Sequence, residues 1–242
     1  MTKESRSIAS RVADTLARRE AAASRAGRHP LEIRLVAATK GVPVDRLIAG
    51  ARAGLKVFGE NYVQEGLEKI EQVRKELGAA ADDLSWHLIG GLQRNKVRAA
   101  IPAFDLIHSV DSLPLAREIN RRAGAGGTSR QILLEVNLAG ESTKSGFTPD
   151  AAIEAALAID KLENIRLSGL MTIPPVAEDP EESRPHFKAL RDLLDETRRR
   201  GLANENFREL SMGMSADFEV AIEEGATWIR LGRAIFGPRQ PR

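Results

Sequence analysis

The chain has no cysteine among its 242 residues. That absence excludes disulfides, thiolate nucleophiles and thiolate metal sites together, and it fits a reducing compartment. Aromatic residues are scarce as well, at 4%, with a single tyrosine. Neither sign of charge is in excess: 36 Lys and Arg stand against 34 Asp and Glu, leaving +2. Nothing here implies a strong pull toward nucleic acid, and the early basic run "ARREAAASRAGRH", interrupted by Glu20, reads as a solvated helix face. No apolar run approaches the length needed to cross a bilayer. The first residues, "MTKESRSIASRV", lack the apolar core of a secretory signal. The expectation is a cytoplasmic protein with no membrane partner and no metal centre.

What the sequence does have is a periodicity that keeps changing. Ile8, Val12 and Leu16 fall at i, i+4 and i+8, one apolar stripe of a helix. "EIRLVAAT" follows as a strand apolar on both faces, as in a parallel sheet covered by helices. The same alternation yields strands at "KVFG", "SWHLIG", "FDLIHSV", "QILLEVNL", "IRLSGLM", "FRELSM" and "TWIRLG", with helices between them. Asn61 stands as N-cap of the third helix with Gln64 as its capping-box partner, and Thr148 with Pro149 opens the helix after strand five. Eight strand–helix units in about 250 residues describe an α/β chain of the TIM-type (β/α)8 barrel class. The helix before the first strand is an addition. An open doubly wound sheet usually carries a glycine-rich turn after its first strand, and "TKGVP" does not supply one. No linker or repeat divides the chain, so residues 1–242 read as one domain.

In such barrels the chemistry sits at the carboxyl ends of the strands. Lys40 ends the first strand. After strand seven comes "SMGMS", with Ser211, Gly213 and Ser215, and strand eight runs into "LGRAIFG" with Gly232. Small residues and exposed N–H groups in these last two loops suit a phosphate, although they also serve as ordinary turn and cap residues. A lysine in a largely apolar mouth is desolvated, which favours its neutral amine and attack on an aldehyde. The bland alternative is a lysine that snorkels to solvent. Pyridoxal 5′-phosphate (PLP) carries an aldehyde and a phosphate on one scaffold and would satisfy both features. Arg230 alternates with Trp228 on strand eight, which points it into the barrel. Placed against a pyridine nitrogen it would keep that nitrogen unprotonated; the bland alternative is an internal salt bridge to Glu135 or a neighbouring carboxylate.

These segments in order, "LVAATK", "FGENYVQE", "WHLIGGLQRNK", "IHSVDS", "STKSGF", "LSGLMTIPP", "LSMGMSADFEVAIEEGAT" and "IRLGRAIFG", resemble the PLP homeostasis protein family, whose members are related to the barrel domain of alanine racemases. The resemblance covers nearly the full length. It implies that Lys40 holds PLP as a Schiff base, that Ser211, Ser215 and Gly232 surround the phosphate, and that Arg230 faces the ring nitrogen. It also implies a position near the ring hydroxyl for Asn61, beside its cap role, and near the pocket for Lys144, which otherwise reads as a loop lysine. Four positions depart from the family pattern: Val42 replaces a further lysine, Arg233 a threonine, and Gly91 and Arg94 differ within "GGLQRNK".

The resemblance implies a PLP carrier in vitamin B6 and amino-acid homeostasis, a monomer in transient contact with PLP-dependent apo-enzymes, with no catalytic residue assigned. The alternative is a PLP-dependent racemase. That reaction needs a second proton-transferring group, usually a tyrosine from an additional β domain. The chain offers only Tyr62, read as a packing residue at a helix start, and no residues after the barrel. A Schiff-base aldolase acting on a phosphorylated sugar shares lysine, phosphate site and barrel, and only the motifs argue against it.

Overall fold

The alternating periodicities resolve into eight strands that close on themselves. The structure, a computed structural model, describes residues 7–141 and 144–238. The start of the N-terminal segment and the first two residues of "STKSGF" lie outside the described residues. Helix α1 (Ile8–Arg25) precedes the barrel. The repeats then run β1 (Arg34–Ala38), α2 (Val44–Arg52), β2 (Val57–Glu60), α3 (Val63–Leu77), β3 (Ser85–Leu88), α4 (Val97–Ala100), β4 (Leu106–Val110) and α5 (Leu113–Ala125). The second half comprises β5 (Arg130–Glu135), α6 (Pro149–Ile159), β6 (Ile165–Met171), α7 (Arg184–Arg199), β7 (Glu209–Ser211), α8 (Phe218–Glu223), β8 (Trp228–Leu231) and α9 (Arg233–Phe236). All eight strands are parallel, and β8 pairs with β1 in the register Ala37 to Leu231.

Period-two alternation sorts each strand between two layers. Ile229 and Leu231 face the helices in the large outer core. Trp228 joins Val36, Leu106, Leu133 and Met171 inside the barrel. The interior is therefore a packed core, and it carries buried polar side chains as well: His87, His108, Ser211 and Arg230.

The arginines of the early basic run are used within the chain. Arg18 and Arg25 pair with Glu219 and Glu223, and Arg28 donates to the carbonyls of Ile222 and Ala226. These bonds tie α1 and the segment after it to α8.

Two capping expectations need correction. The Asn61–Gln64 box does not form: α3 begins one residue later, with Tyr62 as N-cap, and Gln64 donates to Glu68 instead. The shift makes Glu65 the third helical residue, and its carboxylate accepts from the Gly41 amide on the preceding strand–helix loop. At α6, Thr148 is the N-cap and Pro149 follows, but the threonine side chain makes no cap hydrogen bond. Thr148→Ala is therefore expected to cost less than about 0.5 kcal/mol, below the typical ~1 kcal/mol of a bonded cap. A urea midpoint displaced by more than that would mean the hydroxyl caps the helix after all.

Candidate functional site

The closure of β8 onto β1 decides what lies beside what at the mouth. Lys40 follows the end of β1, while Gly232 follows the end of the adjacent β8. The sequence reading left open how the amine and the phosphate loops sit around the mouth. In the barrel they leave neighbouring strands.

Lys40 is half-buried. Its Nζ donates to Tyr62 Oη at 3.1 Å and lies 4.8 Å from the centre of that ring. Tyr62 is 52% exposed, so it is not the packing residue expected from its place at a helix start. It is the side chain that meets Lys40, and it comes from this barrel rather than from another domain. Asn61 precedes it, half-buried at the end of β2.

Behind β7, Gly213 has φ +89°, and a Cβ there would come within 2.5 Å of Ala221. Only glycine lets the chain turn this closely against α8. Asp217 holds the turn by accepting from the Met214 amide at 2.6 Å. Ser215 Oγ accepts from the Ala234 amide at 3.2 Å and thereby joins the β7 loop to the start of α9, whose N-cap is Gly232. Ser215 and Gly232 are thus brought together. Ser211 is not brought to them by its side chain. It is wholly buried, accepting from Arg230 Nη1 at 2.7 Å and meeting His108 Nδ1 at 2.8 Å.

Arg230 points into the barrel, as its alternation with Trp228 predicts. The expected salt bridge to Glu135 is not its anchor: the guanidinium donates to Ser211 and to the Thr172 carbonyl at 2.9 Å. Burial pushes Arg230 down to about 10, against the opposing fields of Glu135 and Asp217, so it remains a cation at neutral pH. The same desolvation, with Asp111 adding to it, holds the Glu135 carboxyl above its ordinary value.

His87 and His108, which the sequence reading passed over, extend this polar line. His87 Nδ1 and His108 Nε2 are 3.0 Å apart. Because Arg230 can only donate, Ser211 Oγ is the acceptor of that bond, and the same oxygen links the guanidinium to the paired imidazoles. The signal was available: both histidines interrupt otherwise apolar strands.

Lys144 occupies the loop after β5. Its ammonium pairs with Glu141 at 2.7 Å, and it lines a cavity of about 170 Å³ with Gly91, Glu135, Asn137 and Ile173. A larger cleft of about 500 Å³ runs along α1 between Arg11, Asp14 and Arg18. Its lining reaches Ala234 on α9 but not Lys40, Ser215 or Arg230, and the residue chemistry at the mouth outweighs its size. Among the described residues no group of three or more His, Asp or Glu could hold a metal ion, and no helix is long and apolar enough to cross a membrane.

The alanine racemase N-terminal domain family matches residues 17–240. A pyridoxal phosphate homeostasis protein of Aquifex aeolicus is 46% identical over 230 residues, covering 95% of this chain and 97% of the relative. The chain belongs to the pyridoxal phosphate homeostasis protein family. A second member, from Pseudomonas aeruginosa, is 40% identical over 96% of both chains. Among solved structures, family member PipY of Synechococcus elongatus PCC7942 with PLP bound superposes at TM-score 0.81 with 36% identity, covering 95% of this chain and all of PipY. A Clostridium difficile alanine racemase shares the fold at TM-score 0.67 and 17% identity, and this chain spans 57% of it.

Proposed function

We propose that this chain binds PLP as a Schiff base on Lys40 and serves intracellular PLP and amino-acid homeostasis as a carrier. The observation that carries the reading is that adjoining strands β8 and β1 bear an inward, buried guanidinium and, just past the end of β1, a half-buried amine. That juxtaposition occurs on the fold of PipY, solved with PLP bound. The residues fit the group. Lys40 offers the nucleophile, the Ser215 and Gly232 turns offer close backbone approach to a phosphate, and Arg230 offers a donor that keeps its proton at neutral pH. Bound PLP would supply a reactive aldehyde on an electron-poor ring. The protein's part is to hold that ring with an arginine at its nitrogen, which withholds the pyridinium on which most PLP chemistry depends. Asn61 near the ring hydroxyl and Lys144 beside the pocket complete the proposed set. Ser211 acts through Arg230 rather than on the phosphate.

In this reading the chain works as a single-domain cytoplasmic monomer that meets apo-enzymes transiently. The racemase alternative gains one specific observation, the contact of Tyr62 with Lys40. A test separates the readings. PLP should colour the protein, borohydride should fix it to the peptide containing Lys40, and Lys40→Ala should abolish the band. Reduction onto another lysine, or no band at all, would overturn the assignment. Interconversion of D- and L-amino acids lost in both Lys40→Ala and Tyr62→Phe would establish the racemase instead.

A further inference from the structure

A second lysine lies directly behind the first. Lys69, on α3, is 7% exposed, and its ammonium has three partners: the Thr39 carbonyl at 2.6 Å, Glu60 at 3.0 Å and Glu65 at 2.7 Å. The same Glu65 oxygen that accepts from Lys69 also accepts from the Gly41 amide at 2.7 Å. Thr39 Oγ1 donates to Glu60 and to the Gly59 carbonyl.

Two of the backbone groups in this cluster are the carbonyl before Lys40 and the amide after it. Both peptide units that meet at the Lys40 Cα are therefore held by one buried ion network. An ammonium donates three hydrogen bonds, and the three acceptors around Lys69 match that number. Stability alone is a weak reason for such a network, since buried ion pairs are often replaceable by apolar side chains without loss. The cluster is also not fully satisfied: Glu60 Oε2 is buried without a hydrogen-bond partner. Its geometry fits a different task. The Lys40 side chain is a flexible four-carbon stem whose amine, among the described residues, bonds to exposed Tyr62, so its aim depends on a fixed main chain.

We propose that Lys69 and Glu65 are positioning residues for Lys40, clamping the backbone on both sides of it so that its amine projects into the mouth. The inference rests on the reading of Lys40 as the PLP-bearing residue. It extends that reading to buried residues behind the end of β1.

The test uses Glu65→Ala and Glu65→Gln in the full chain. Glu65 is the outermost member of the cluster, and its loss leaves the Lys69–Glu60 pair in place. Hydrogen exchange at the Gly41 amide, read by NMR without PLP, should accelerate at least about 10-fold in Glu65→Ala. It should stay near wild type in Glu65→Gln, whose side-chain oxygen still accepts. The rate at which PLP colours the protein should fall about 10- to 100-fold in the alanine variant and recover in the glutamine variant. Unchanged Gly41 exchange, or accelerated exchange with unchanged attachment, would overturn the clamp. Failure of the parent reading looks different: PLP would then not attach to Lys40 in the wild-type protein at all, while the exchange measurement would still report on the Gly41 bond.

Discussion

Gly169→Ala is expected to leave no stably folded barrel. Gly169 lies on β6 opposite Glu209 on β7, and a Cβ at this position would fall 1.9 Å from the Glu209 carbonyl oxygen. Its nearest neighbours are backbone atoms, so no rotamer change relieves the overlap. The strand carries an irregularity just before it, where Ile132 and Leu133 of β5 pair with Leu167 and Gly169 and so pass over Ser168. Such a bulge tightens the local twist and brings neighbouring backbones close. Separating β6 from β7 would open the closed sheet, at a cost above about 4 kcal/mol. Domains are stable by only about 5–15 kcal/mol in total. Soluble yield and the urea midpoint of the variant measure the effect, and a loss within about 1 kcal/mol would refute the described β6–β7 approach.

The second large effect concerns acid. His87 and His108 lie inside the barrel on β3 and β4. Burial pushes His87 down to about 3, with Asp105 opposing and Arg34 assisting. Burial first, then the fields of His87, Arg230 and Arg34, hold His108 well below its ordinary value. Both are neutral in the folded chain, while an unfolded histidine takes up a proton near pH 6.5. Below that pH the unfolded state binds more protons than the native one. The stability held above about pH 6.5 is therefore lost as pH falls, at about 1.4 kcal/mol per pH unit for each imidazole. Glu60 and Glu135 act in the opposite sense, because burial raises both and the folded chain protonates them first. The histidine contribution is isolated by comparing the wild type with His87→Leu/His108→Leu between pH 7 and pH 5. The slope of unfolding free energy against pH should be lower in the double variant by up to about 2.7 kcal/mol per unit. Equal slopes would mean that the imidazoles are not held neutral.

Most of the scaffold could be read from the chain because it depends on local pattern. Strand runs apolar on both faces, separated by helical stripes, leave few arrangements other than a helix-covered parallel sheet. The inward face of Arg230 follows from alternation with Trp228, and the barrel interior around Trp228 bears this out. The misses share a cause. The Asn61–Gln64 box was read from spacing alone, and the backbone instead began the helix at Val63, where Glu65 found the Gly41 amide. Ser211 was grouped with Ser215 because they are four residues apart in one loop motif. The last residue of a strand and a turn residue face different places, and Ser211 turned inward to Arg230. His87, His108, Lys69 and Glu60 stood in segments whose secondary structure was read, but their partners come from other strands and helices.

The sequence by itself determined the order of strands and helices, the placing of Lys40 and the glycine-bearing turns at strand ends, and the inward face of Arg230, because each follows from the period of one backbone segment. Only the tertiary structure decided that Tyr62 meets Lys40, that Lys69 and Glu65 hold the peptides on either side of it, and that Ser211 and two neutral histidines back Arg230. Those contacts join residues about twenty to a hundred positions apart, brought into hydrogen-bond range only when the strands register and the barrel closes.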